Sequence, residues 1–172
     1  MNTTTQISMY QASVPTIVRA LNNLAAVLEK GAAHAEARKI DPAVLVASRL
    51  YPDMFPLSKQ VQIASDIAKG GSARLAQQEP PAFADEEKTF ADLVERLRKT
   101  IAYLESLKPE QFEGAEGRTV TWKTRDSTRS MQGMPYLLNH VLPNVFFHVT
   151  TAYDILRHNG VELGKLDYLG RP

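Results

Sequence analysis

The stretch YQASVPTIVRALNNLAAVLEKGA, residues 10–32, decides the fold. Its apolar residues Tyr10, Val14, Ile17, Leu21, Leu24, Leu28 and Ala32 recur at steps of three and four, which places them on one face of an α-helix. A helix of that length must cover its apolar face with partners. Pro15 lies within the stripe, so it either starts the helix near Ser13 or kinks a helix that began earlier. The end is expected near Arg38.

The partners follow along the chain. Asp41-Pro42 is a helix-start signal for a short helix to about Leu50. The prolines of YPDMFP then interrupt, and Pro56 opens a second long helix with the stripe Leu57, Val61, Ala64, Ala68, Gly71 and Leu75. Its small members allow a close neighbour. QQEPPAFADEE reads as a linker. Asp85 is the expected cap of a third helix, whose stripe is Phe90, Leu93, Val94, Leu97, Ile101 and Leu104. Thr119, Val120, Thr121 and Trp122 favour a strand, with Arg125-Asp126-Ser127 turning the chain back toward Met131 as a small hairpin.

Pro135 opens a fourth long helix and Asn159-Gly160 closes it. Pro143 inside it removes a backbone donor, frees the carbonyl of Asn139 and predicts a kink. The tail LGKLDYLGRP is expected to lie extended on the surface. Four stripes imply an all-α four-helix bundle with a β-hairpin insert before the last long helix. It is expected as one domain over 1–172. Both helix-one-to-two and helix-three-to-four links are long enough to cross the bundle, so up-down-up-down order is not forced.

Composition narrows the function classes. The 172 residues are 44% apolar and 23% charged, ordinary for a globular protein and unlike a disordered or collagen-like chain. Twenty Lys and Arg against 19 Asp and Glu leave a net charge of +1, which gives no reason to expect a nucleic-acid or anionic-membrane partner. With no Cys, disulfides, Cys-bound zinc, iron–sulfur clusters and Cys nucleophiles are excluded. The start is polar rather than signal-like, and no apolar run is long enough to span a membrane, so a cytoplasmic location is expected. GVELGK (160–165) has the wrong spacing and context for a phosphate loop, and no GxSxG is present.

The segments SMYQASVPTIVRALNNLAAVLEK (8–30), RLYPDMFPLSKQVQIASDIAKGGSARLA (49–76) and LPNVFFHVTTAYDILRHNGVELGKLDYLG (142–170) resemble an uncharacterised bacterial domain-of-unknown-function family in the DinB-like superfamily. The resemblance covers nearly the whole chain. It implies a four-helix bundle, often dimeric. It also implies, for many superfamily members, a divalent metal held by three His, one from the second bundle helix and an HxxxH pair from the fourth. Some members are thiol-dependent S-transferases or related metalloenzymes.

The residues here depart from that metal pattern. The four histidines are His34, His140, His148 and His158, and none has another His four residues on. His140 and His148 are two helical turns apart, about 12 Å along an axis, too far to share one ion. Asn144 stands where the first His of the pair would be, and a neutral amide is a poor ligand for zinc or nickel. The second bundle helix has no His. Its nearest candidate, Asp66, falls opposite the apolar stripe, as a solvated carboxylate would. No metal site is therefore expected. If one existed, His148, Asn144 and Asp66 would be its ligands, and the cofactor would be a divalent metal such as zinc or nickel.

His148 is the best single position. On the fourth-helix wheel the apolar arc holds Leu138, Val141, Leu142, Val145, Val149, Tyr153 and Leu156. His148 and Asn144 sit at its border, while His140 and His158 fall on the polar side. The expectation is a small-molecule-binding protein with a degenerate or absent metal site near the DMFP loop. There His148 would act as base or hydrogen-bonding group, Asn144 would orient the ligand, and Tyr10 and Asp53 would assist. The alternatives are a metal-dependent S-transferase-like enzyme using His148, and a homodimeric interaction or stress-related module that buries Phe147 or Tyr153 between subunits. The hairpin carries Arg118, Lys123, Arg125 and Arg129 around Trp122, read as a solvated basic hairpin rather than a nucleic-acid surface.

Overall fold

The computed structural model describes residues 6–124 and 126–171. The helix read from residues 10–32 is α1 (Met9–Arg38), opened by a capping box in which Ser8 and Gln11 satisfy each other's backbone N–H. Pro15 lies inside α1 without ending it. The short helix α2 (Pro42–Val46) is capped by Asp41 and stops earlier than the expected Leu50. Next come α3 (Leu57–Leu75) and α4 (Phe90–Ser106). The cap of α4 is Thr89, in a capping box with Asp92, rather than Asp85. A hairpin of β1 (Thr119–Lys123) and β2 (Thr128–Gln132) follows, paired antiparallel. Arg125, expected in its turn, lies outside the described residues.

The fourth long helix is composite: α5 (Gly133–Tyr136), a π-helical turn over Leu137–Val141, then α6 (Leu142–His158). The π turn takes up the expected irregularity just before Pro143, and the Asn144 side-chain amide donates to the His140 carbonyl at 2.6 Å. Gly160, at φ 88, ends the helix as expected, with Val161 N–H reaching back to Leu156. The tail is not extended. It forms α7 (Lys165–Leu169), tied to α1 by Arg19, Asn23 and Lys30.

Side-chain contacts give the helix directions. Gln62 of α3 meets Glu87 just before α4, and the Leu75 carbonyl ending α3 meets Arg118 just beyond α4, so these two helices run parallel. Tyr10 packs on Phe112 while Gly31 faces Phe90, which sets α1 antiparallel to α4. Gly71 faces Val141 and Gln60 meets His148, which sets α6 antiparallel to α3. The order is up-down-down-up, and the link that crosses the bundle is the proline-rich segment between α3 and α4. All six stripe positions of α3 and of α4 are buried in the shared core. No helix among the described residues is long and apolar enough to cross a membrane.

Arg96 holds the crossing link down. It is 2% exposed and donates to Ser65 and Asp66 of α3 and to Ala84 O and Glu87 of the link. Asp85 lies 3.1 Å from the same guanidinium and 2.6 Å from Lys59. The Lys59 hydrogen bond leads in holding the Asp85 carboxyl below its ordinary range. Burial alone would raise Glu87, but Arg96 and Gln62 outweigh it and its carboxyl is lowered as well. Replacing Arg96 with Met should destabilise the fold by about 3 kcal/mol in urea unfolding, because three carboxylates lose their buried partner. An unchanged midpoint would contradict this role.

Gly133 joins the hairpin to α5 by a close approach. A Cβ there would stand 1.7 Å from the Ala115 carbonyl oxygen. Gly133→Ala should cost about 3 kcal/mol, read as a lowered urea midpoint, whereas an unaltered midpoint would show that the junction yields freely.

Candidate functional site

α3 and α6 bring one imidazole against one buried amide. Gln60 belongs to the first turn of α3 and is 1% exposed. Its Nε2 donates to the Phe55 carbonyl at 3.1 Å, and its Oε1 lies 2.7 Å from His148 Nδ1. A carbonyl can only accept, so the Phe55 contact assigns the amide's orientation. The oxygen must then face His148, and Nδ1 carries the imidazole proton. That leaves Nε2 as a lone-pair acceptor with no partner among the described residues. Burial pulls the His148 pKa below the ordinary histidine value, which keeps the ring neutral near pH 7.

Two residues that contact the pair carry exposed aromatic rings. Phe147 presents its ring edge-on to His148 at 5.1 Å and is 56% exposed. Phe55, whose carbonyl holds Gln60, is equally exposed. Of the neighbouring pair, Phe146 is half-buried and packs on the core, as one member was expected to do.

The other anticipated residues sit elsewhere. Asn144 lies one turn before His148, but its amide hydrogen is given to the His140 carbonyl. Tyr10 packs against Phe112 at the end of the bundle where α4 leaves, remote from the α3 start that supplies Gln60. Asp53 is exposed in the loop before α3, and none of the described hydrogen bonds or ion pairs joins it to His148. Asp66 is not a free carboxylate: Arg96 and Lys69 hold it at 2.8 and 2.7 Å. His140, placed on the polar side by the wheel, is half-buried and packs against Trp122 and Tyr136. Leu138, placed in the apolar arc, is 50% exposed. Trp122 is 9% exposed, so the hairpin turns its aromatic residue inward.

Gln60 was missed because it is polar. At 300° from Leu57 and 100° behind Val61 on a helical wheel, it falls at the border of the apolar arc, next to Gly71. A glutamine bordering an apolar arc is the signal that would have found it.

The donor set does not fit the three-His metal that the resemblance implies. Among the described residues no three His, Asp or Glu side chains form a group able to hold an ion. Next to His148 stand two neutral amides, both already engaged in hydrogen bonds, and amide oxygens are weak ligands for zinc and nickel. Measurable grooves lie elsewhere, including one of about 240 Å³ between α1, α6 and α7, lined by Phe146, Val149 and Tyr168.

A neutral half-buried histidine makes stability depend on pH. The folded state resists a proton that the unfolded chain accepts, so stability is intact above about pH 6.5 and falls as the pH drops below it. Each such group contributes a slope of up to about 1.4 kcal/mol per pH unit. His148→Gln should flatten urea-derived stability between about pH 6.5 and about pH 5; an identical slope in the variant would show that His148 is not neutral by burial.

Comparisons with known proteins agree with this architecture. The family model described as a domain of unknown function, DUF1993, matches residues 9–169. The crystal structure of a DinB family member from Shewanella denitrificans is 42% identical, covering 95% of this chain and 93% of that one, with a TM-score of 0.90. No curated protein matches.

Proposed function

The chain belongs to the DUF1993 family of DinB-like proteins, and from that premise we propose that it binds a small molecule at His148 without a transition metal. The carrying observation is the Phe55–Gln60–His148 chain of hydrogen bonds, which spends Nδ1 and leaves Nε2 as an acceptor. The exposed rings of Phe147 and Phe55 suit the apolar part of a ligand, and Nε2 suits an O–H, N–H or S–H donor on it. The same neutral imidazole has the protonation state a general base needs. That favours, as a second reading, an enzyme in which His148 takes a proton from the bound donor.

The test uses the full chain purified without a histidine tag. A ligand-observed NMR screen should return aromatic compounds carrying a hydrogen-bond donor. Their affinity should fall several-fold in His148→Ala, about 1 kcal/mol for one neutral hydrogen bond. Elemental analysis should find no stoichiometric zinc or nickel. A stoichiometric metal lost in His148→Ala would overturn the metal-free reading. A solution dimer that protects Phe147 and binds no compound would replace it with an interaction role.

A further inference from the structure

The second histidine of the long helix stands in a different environment. His140 lies in the π turn, and such turns recur at functional sites. Its ring is 4.8 Å from Trp122 and 5.3 Å from Tyr136, and those two rings are 4.8 Å apart. Three aromatic rings therefore meet where the hairpin joins the bundle. Arg129 stands directly opposite Trp122 in the hairpin register, so both side chains project from the same face of the sheet. From α3, Arg74 folds back over Gly70, where a Cβ would come within 2.8 Å of its Nη1, and the same Nη1 donates to the Tyr136 hydroxyl at 3.4 Å.

Positive charge gathers here without a counterpart. Among the described residues neither Arg74 nor Arg129 is paired with a carboxylate. Tyr136 is 1% exposed, and its hydroxyl accepts from Arg74 while its own hydrogen has no acceptor among the described residues. A buried hydroxyl held by one guanidinium, in a cluster whose half-buried imidazole feels two, leaves N–H and O–H donors free for an acceptor with negative charge.

We propose that Arg74, Arg129, His140 and the Tyr136 hydroxyl form a binding site for the oxyanion of a small molecule, a phosphate or a carboxylate. The guanidinium forks supply paired N–H donors, Tyr136 supplies an O–H, and the imidazolium form of His140 supplies a further N–H. The groups facing His140 are Arg74 from α3, Arg129 from β2, and Tyr136 from α5. Burial first, then the two arginines, hold His140 below its ordinary pKa. A bound oxyanion offsets that repulsion and favours the charged ring, so affinity rises as the pH falls through the histidine range. The site is about 12 Å along the helix from His148 and does not depend on the reading of that residue.

Trp122 is the chain's single tryptophan and touches His140, so its fluorescence reports on the site. The experiment titrates inorganic phosphate, and separately acetate, into the full chain at about pH 6, holding ionic strength constant with chloride. Saturation by either oxyanion supports the site and identifies its headgroup. The apparent Kd should rise about tenfold in Arg74→Gln and in Arg129→Gln, as expected for one lost charge-assisted hydrogen bond, and should also rise toward about pH 7.5. Arg129 is exposed on the hairpin, so its variant keeps the test sound should Arg74→Gln fold poorly. A response that neither oxyanion saturates, or one unaltered in Arg129→Gln, overturns the proposal.

Discussion

A buried side-chain amide must satisfy both its ends, and Gln60 does so by tying three pieces of chain together. Its hydrogen goes to the Phe55 carbonyl, which anchors the loop entering α3. Its oxygen takes the Nδ1 proton of His148, which locks α6 against α3. Leaving either end unmade would cost about 1–3 kcal/mol. The same requirement decides the chemistry of His148, because an imidazole that has spent Nδ1 in this way presents a single, directed acceptor. A bundle built for a three-His metal needs convergent lone pairs. Here the facing positions carry amides whose hydrogen bonds are already assigned.

The bundle supplies the rigidity this contact requires. Parallel α3 and α4 oblige the chain to run the length of the bundle between them, over an irregular, proline-rich segment. Such a segment has few backbone bonds of its own, and Arg96 replaces them with donors to Ala84, Glu87, Ser65 and Asp66. On the opposite flank Gly71 lets Val141 sit against α3, so that α6 and α3 approach closely along their length. Stability and site geometry thus share helix α3: one side holds the link through Asp66 and Ser65, the other holds His148 through Gln60.

Hydrophobic spacing made the four long helices readable, because a repeat of three and four residues survives any tertiary context that buries one face. Every stripe position named on α3 and α4 is buried. What spacing could not supply was the fate of polar residues flanking the stripe. Arg96 and Gln60 are buried by specific partners far away in sequence, and those partners exist only once the fold has formed. The wheel also failed for His140 and Leu138 for a definable reason. A wheel continuous through Pro143 assumes regular α geometry, yet the π turn inserts extra chain there and rotates everything before it. The cap of α4 is Thr89 rather than Asp85 because Thr89 and Asp92 have the spacing of a capping box, which the sequence carries. The superfamily's metal pattern gave no guide to the site, since the residue facing His148 is an amide on α3 rather than the carboxylate of Asp66.

The central claim is the protonation state that Gln60 imposes on His148, and long-range ¹H–¹⁵N NMR of the imidazole at about pH 7 tests it directly. The account predicts a neutral ring with the proton on Nδ1 and a pyridine-type nitrogen at Nε2, changing in Gln60→Leu. A ring protonated at Nε2, or one that is charged at that pH, would contradict it.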